Sequence, residues 1–234
     1  MIEKAVIMAA GKGTRMLPLT EKIPKQLIEI NGKPFLFYLL DSLKKAGYKK
    51  FAIIANHKIE KMEKYIDGSG FDAQIIDQGG SEGTAYAVKK AKDFAGNDQF
   101  IVLGGDNLWS VNDLMAMQKD DDFNYIAGYE VENPSKYGVL VEENGKLARI
   151  HEKPKEFVGN LINSGLYKFT PEVFEIIDSL KKSPRGEYEL TDAVSTLAER
   201  GKMRVLKLQD FWLDLGCIED IPKVSEFLKE NAIG

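Results

Sequence analysis

Residues 9–25 hold the densest chemistry in this chain. Ala9-Ala10-Gly11-Lys12-Gly13-Thr14-Arg15 follows directly on a short apolar run, and Pro24-Lys25 comes soon after it. Glycines placed just after a buried strand let backbone N–H groups approach a phosphate with no Cβ in the way. In an open α/β sheet, ligands sit beyond the strand C-termini, where this loop must lie. Arg15 offers a planar fork for phosphate oxygens and Lys25 a compact positive charge. Two familiar glycine patterns do not fit. Met16 stands where the dinucleotide fingerprint needs a small residue, and no Gly-Lys-Ser/Thr follows at P-loop spacing. No acidic ribose contact follows at the expected distance either, so a nicotinamide oxidoreductase ranks last.

Other reactive residues are scarce. The single Cys217 excludes a disulfide framework within one chain and a thiolate-cluster metal site. His57 and His151 lie far apart with no metal-binding spacing, and both read as surface or strand-end residues. Lys+Arg 32 against Asp+Glu 36 gives a net charge of −4, which leaves no basic footprint for nucleic acid. A small anion needs only a few placed cations, so it remains an acceptable ligand. Hydrophobic residues at 44% and charged residues at 29% fit an ordinary soluble globular chain and argue against disorder. The apolar run Ala5 to Ala10 is too short for a secretory leader, and no stretch approaches a membrane span. The expected setting is cytoplasmic and reduced, with no membrane partner.

The elements that must position the loop alternate in type. Ala5–Ala10, Phe51–Ala55, Ala73–Ile76 and Phe100–Leu103 are short continuous apolar runs, as expected of strands buried on both faces. Between them lie helical stretches: from Pro34 to Gly47 with Leu36, Leu39, Leu40 and Leu43 at helical spacing, from Ile59 to Ile66, and from Gly83 to Phe94. This βαβα order predicts a doubly wound, mostly parallel, Rossmann-like α/β sheet. Later strands are expected at Tyr125–Val131, Gly138–Glu142, Leu147–His151, Leu161–Phe169 and Met203–Leu208. Asn144-Gly145 marks a hairpin. Helices are expected after Pro171, over Leu190–Arg200 and over Asp220–Asn231. The run Asp120-Asp121-Asp122 reads as a solvated helix end. No repeat or linker divides the chain. The expectation is one domain over 1–234, with halves at about 1–125 and about 126–234, the later strands carrying a second binding surface.

The extended loop Gly11-Lys12-Gly13-Thr14-Arg15-Met16-Leu17-Pro18-Leu19-Thr20 with Pro24-Lys25 resembles the hallmark of the sugar-1-phosphate nucleotidyltransferases. The resemblance continues in order through Gln78, Gly83-Thr84-Ala85, Gly105-Asp106, Tyr137-Gly138, Glu152-Lys153-Pro154, Asn163 and Trp212-Leu213-Asp214-Leu215-Gly216. It is most similar to the glucose-1-phosphate thymidylyl- and uridylyltransferases. The resemblance implies the nucleotide-diphospho-sugar transferase fold with a small sugar-binding β lobe. It also implies attack of a sugar-1-phosphate oxygen on the α-phosphate of an NTP, releasing pyrophosphate. That nucleophile is already an anion, so the protein's tasks are charge neutralisation, alignment and a metal rather than base catalysis.

By the same resemblance Arg15, Lys25 and Asp106 are catalytic, and Asp106 with Asp214 holds Mg²⁺. Ala9, Ala10, Gly11, Gly13, Thr14, Arg15, Gln78, Gly83, Thr84 and Gly105 contact the nucleotide. Gln78 offers a donor and an acceptor for a base edge. Gly138, Glu152, Lys153 and Asn163 contact the sugar phosphate. Asn163 departs from the thymidylyltransferase branch, which often carries an apolar residue there, and resembles the N-acetylglucosamine-1-phosphate and mannose-1-phosphate branches. The favoured substrates are dTTP or UTP with glucose-1-phosphate. N-acetylglucosamine-1-phosphate uridylyl and mannose-1-phosphate guanylyl transfer stay open, as do an alcohol-phosphate cytidylyltransferase and a non-catalytic nucleotide-sugar-binding subunit. Base, sugar and oligomeric state, a homo-oligomer included, are left undecided. Arg185 to Asp192 also looks like the family; Thr191-Asp192 reads as a cap of the following helix, in a structural or lid segment. Trp212 is expected to pack under the site. With the sequence ending soon after its last helix, the C-terminal extensions that relatives add are not expected, nor an allosteric or acyltransferase site built on them.

Overall fold

The computed structural model describes residues 1–80 and 82–233. In chain order the first stretch contains β1 (Lys4–Met8), the two-residue strands β2 (Glu29–Ile30) and β3 (Lys33–Pro34), and α1 (Phe35–Lys45). It continues with β4 (Lys50–Ala55), α2 (Ile59–Asp67), β5 (Ala73–Asp77), α3 (Thr84–Lys90) and α4 (Lys92–Ala95), then β6 (Phe100–Gly104), β7 (Asn107–Trp109) and α5 (Val111–Ala116). The second stretch has β8 (Asn124–Glu130), β9 (Gly138–Glu143), β10 (Lys146–Glu152), β11 (Leu161–Phe169) and α6 (Glu172–Ser179). It ends with α7 (Leu190–Glu199), β12 (Met203–Lys207), β13 (Trp212–Asp214) and α8 (Asp220–Glu230).

A nine-stranded mixed sheet in the order β5-β4-β1-β6-β11-β8-β12-β10-β9 runs through both stretches. Strands β5, β4, β1 and β6 are mutually parallel, whereas β11 is antiparallel to β6 and β8 on either side. The continuous apolar runs are explained by cover on both faces. Ala5 and Ile7 of β1 enter one core with Ile53 and Leu103, whereas Val6 enters the other with Ile54 and Val102. Helices α1 and α8 close the first core through Leu36, Leu39, Leu43 and Leu228; α3, α6 and α7 close the second through Val88, Phe174 and Leu197. The register pairs Met8 with both Ile54 and Gly104, so the loops that leave these strands emerge along one edge.

Asn144 and Gly145 both have positive φ, 52° and 77°, as the two central residues of a tight hairpin turn require. Two expectations need correction. The helix anticipated from Gly83 to Phe94 is broken at Ala91, whose N–H donates to Val88 O, into α3 and α4. The run Asp120-Asp121-Asp122 lies in the loop between α5 and β8 rather than at a helix end, and Asp121 accepts hydrogen bonds from Tyr125 OH (2.6 Å) and Lys168 Nζ. Strands β7 and β13, three residues each and invisible to periodicity, pair antiparallel and set Asn107 opposite Asp214.

Candidate active site

The loop after β1 is held open by contacts made away from its rim. Gly13 has φ 64°, and a Cβ there would stand 2.9 Å from Thr20 Cγ2. Thr20 Oγ1 donates to Gly13 O at 2.9 Å, and His57 Nε2 lies 3.1 Å from Thr20 O. His57 therefore braces the loop from behind, outside the chemistry. A cleft of about 390 Å³ opens in front, lined by Ala10, Gly11, Gly13, Thr14 and Arg15. Lys25, Gln78, Gly83, Thr84 and Asp106 line the rest of it. Ala9 is turned beneath, its N–H bonded to Ile54 O.

Gly105 makes Asp106 reachable. Its N–H donates to Met8 O at 2.9 Å, and a Cβ would stand 3.1 Å from that oxygen and 3.2 Å from Ile7 Cγ2. A side chain there would press on Met8 O and Ile7 until they gave by a few tenths of an ångström. Asp106 then accepts Lys25 Nζ at 2.8 Å, from a lysine only 6% exposed. Leu215 N–H donates to Asp106 O, tying the end of β13 to the same point. Asp214 Oδ1 accepts Asn107 Nδ2 at 3.0 Å. Arg15 arrives from the other side: a Cβ on Gly216 would be 3.0 Å from Asp214 Oδ2 and 3.4 Å from Arg15 Nη1. Arg15, Lys25 and Asp106, scattered over the sequence, thus line one space, and Asp214 lies behind Gly216 at its edge, lining neither that cleft nor the next cavity.

Burial pushes the Asp214 carboxyl up to about 6, and the negative charge of Asp106 adds to it; Lys25 opposes, Asp220 reinforces, and Arg15 opposes. Two hard carboxylates close enough to repel each other suit a divalent cation. Among the described residues no group of three or more His, Cys, Asp and Glu could hold a metal. An ion here would take two protein carboxylates and fill its remaining positions with phosphate and water oxygens, as Mg²⁺ does.

A second cavity of about 550 Å³ adjoins the first and shares Met8 and Thr84 with it. Glu152, Asn107, Tyr167, Arg185 and Asp192 are among its walls. Gly138 and Asn163 sit behind Glu152: a Cβ on Gly138 would be 3.0 Å from Glu152 Oε2 and 3.9 Å from Asn163 Cβ. The Asn163 amide donates to Tyr167 OH (2.7 Å) and accepts Gly165 N–H (3.0 Å). Lys153 is exposed, has φ 43°, and lines neither cavity; its Nζ lies 4.0 Å from Glu152 Oε1. Thr191 and Asp192 lie inside the first turn of α7 rather than before it, so they do not cap it; both line the second cavity. Trp212 packs on the rings of Tyr129 and Tyr137 and lines neither cavity.

Some residues of the cleft escape sequence reasoning. Gln26, 4% exposed, lines it with Oε1 lacking a partner among the described residues. Its signal was a polar residue kept after Pro24-Lys25 and before Leu27 and Ile28. Asn56 carried no comparable signal, whereas Glu187 belongs to the family-like segment Arg185 to Asp192.

The chain matches the family described as Nucleotidyl transferase over residues 4–231. It is 38% identical to the "Bifunctional protein GlmU" of Methanococcus aeolicus, over 97% of this chain and 54% of that protein. It is 32% identical to the "UTP--glucose-1-phosphate uridylyltransferase AglF" of Haloferax volcanii, over 97% of both. The chain spans about half the length of several curated relatives it matches. A structure of UDP-glucose pyrophosphorylase complexed with UDP-glucose superposes with a TM-score of 0.88 at 27% identity, covering 99% of this chain and 100% of that one. A putative glucose-1-phosphate thymidylyltransferase from Bacillus anthracis gives a TM-score of 0.84 at 27% identity, over 97% and 95%.

Proposed function

The chain belongs to the Nucleotidyl transferase family, and on that premise we propose that it joins a nucleotidyl group from an NTP to a hexose-1-phosphate. One observation carries the reading: Arg15, Lys25 and Asp106 line one glycine-rich cleft, and Asp214 stands just behind its Gly216 wall, near enough to feel the charges of all three. A sugar-phosphate oxygen forms a bond to the α-phosphorus while the bond to the bridging oxygen breaks, and pyrophosphate leaves with that electron pair. No proton need move. The barrier is mutual repulsion of anions, and preorganised cations lower it where charge develops. Arg15 and the backbone of Gly11 to Thr14 hold the triphosphate. Lys25, kept in place by Asp106, faces the reacting phosphate. Gln78 and the Gly83 backbone meet the base, and Glu152 accepts sugar hydroxyls from the adjoining cavity. Asp106 and Asp214 are the residues that would hold Mg²⁺, which would supply positive charge against the phosphates.

UTP or dTTP with glucose-1-phosphate is the favoured pair, on the strength of the relatives' and neighbours' names. A second reading, an N-acetylhexosamine-1-phosphate, is supported by Asn163, whose amide is fixed beside Glu152 and Gly138. A pyrophosphate-release assay with Mg²⁺, each NTP and several hexose-1-phosphates should give turnover for one uridine or thymidine pair. Lys25→Ala and Asp106→Ala should each lower it at least about a hundredfold. Silence across the whole matrix would sink the activity, and near-normal turnover in either variant would remove that residue's role.

A further inference from the structure

Strand β4 lies between β5 and β1, and the residues at its exit touch the loops that leave both neighbours. On one side Ala9 N–H donates to Ile54 O at 2.8 Å, which roots the phosphate loop. On the other, Gln78 N–H donates to Ala55 O at 2.8 Å, which roots the loop on the base side. β1 ends at Met8 and β5 at Asp77, so past these roots no strand pairing holds either loop. The next two residues of the β4 exit reach them with side chains. Asn56 Nδ2 donates to Gly79 O at 2.9 Å. His57 Nε2 lies 3.1 Å from Thr20 O, and because that oxygen can only accept, this nitrogen carries the hydrogen. Thr20 passes the contact on to Gly13 O through its hydroxyl. The far end of the base-side loop is fixed separately. Tyr188 N–H donates to Glu82 O at 2.8 Å, and a Cβ on Gly83 would stand 2.5 Å from Tyr188 O. Leu190 N–H, at the start of α7, continues that seam by donating to Thr84 Oγ1 at 2.9 Å, so Thr84 caps α7.

We propose that Asn56 and His57 are positioning residues that form a strut, which sets the span between the phosphate loop and the base-side loop and thereby the affinity of the first cleft for an intact nucleoside triphosphate. The inference rests on the reading of that cleft as a nucleotide site. A ligand that touches both loops meets a span already fixed and loses less freedom on binding. A ligand that touches one loop alone does not read the span. The two contacts act in series, so cutting either one releases the span, and cutting the second releases little more. One net hydrogen bond is worth about a 2- to 10-fold factor, which sets the scale.

Calorimetry tests this with Mg²⁺ and UTP, or the nucleotide that leads the pyrophosphate assay, against inorganic tripolyphosphate, measured directly or by competition. His57→Phe keeps a ring and removes the donor. It should weaken UTP about fivefold or more and leave tripolyphosphate within about twofold; His57→Gln, which restores an N–H, should recover UTP affinity. In turnover, His57→Phe should raise KM for the nucleotide and leave KM for the sugar phosphate unchanged. The double variant Asn56→Leu with His57→Phe should lose no more than about twofold beyond the worse single variant. Should His57→Phe fail to fold, His57→Ala carries the same measurements. Unchanged UTP affinity in the phenylalanine variant overturns the proposal, as does an equal loss for tripolyphosphate. Losses that multiply in the double variant mean two separate contacts and overturn it too. An unaltered protein that binds no nucleotide would sink the proposed function and the strut together. Nucleotide binding without turnover would count against the reaction alone, with the strut judged by these affinities.

Discussion

Asp214 spends free energy on being where it is. In the folded chain its carboxyl is raised from an ordinary 3.8 to about 6, chiefly by burial and next by Asp106. Between those values the native state binds more protons than the unfolded one, so stability falls as pH rises through the window. Above about 6 the ionised group carries its full cost. Asp214→Asn keeps an oxygen for Asn107 and drops the charge. It should therefore raise Tm of the metal-free protein at pH 7.5, and the gain should vanish below about pH 4, where Asp214 is protonated in both states. Thermal unfolding in a chelator across this range checks it; a gain of equal size at both ends would mean that charge is not the cause. The residue types at 15, 25, 106 and 214 were legible in sequence through motif resemblance. The conflict between Asp106 and Asp214 was not, because it depends on a distance across the fold.

At the scale of elements, small strands and glycines decide the site. The parallel strands β1, β4, β5 and β6 were readable as apolar runs because both faces are covered. The β7–β13 pair was not, since three residues cannot show a period, yet it alone brings Asn107 to Asp214. Gly83 was legible as a glycine near the base; its tight fit against the Tyr188 backbone was not. Its φ of 98° with extended ψ belongs to a region essentially reserved for glycine, and the seam leaves no space for a methyl group. Gly83→Ala should thus lower Tm by about 4–10 °C and weaken binding in both cavities. Differential scanning calorimetry reads the first effect. An unchanged Tm would show that the wall yields freely.

On the scale of the molecule, the sheet order places β11, a late strand, between β6 and β8. This insertion joins the early parallel strands to the later ones. Lys168 of β11 locks the crossing: fully buried, its Nζ donates to Asp121 O (2.6 Å), Phe123 O (2.8 Å) and Asp121 Oδ1 (3.1 Å). Burial pulls the Lys168 amine below its ordinary value, with Asp121 opposing that shift. Lys168→Met keeps the stem but strands those oxygens, at a cost of about 2–4 kcal/mol. Chemical denaturation should show a lower midpoint at unchanged slope; a midpoint equal to that of the unaltered protein would rule the lock out.

Local order was settled by the chain's own residues. Apolar runs of strand length, glycines where the backbone must turn, Asn-Gly at the hairpin and a phosphate loop with its two cations all act through neighbours in sequence. Partnership between distant segments was settled only by folding: β11 beside β6, Asp214 against Asn107, and Thr84 capping α7. A side chain's type limits which bonds it can make. Which bond it does make depends on what the packed sheet and helices bring within three ångströms, roughly the reach of a hydrogen bond.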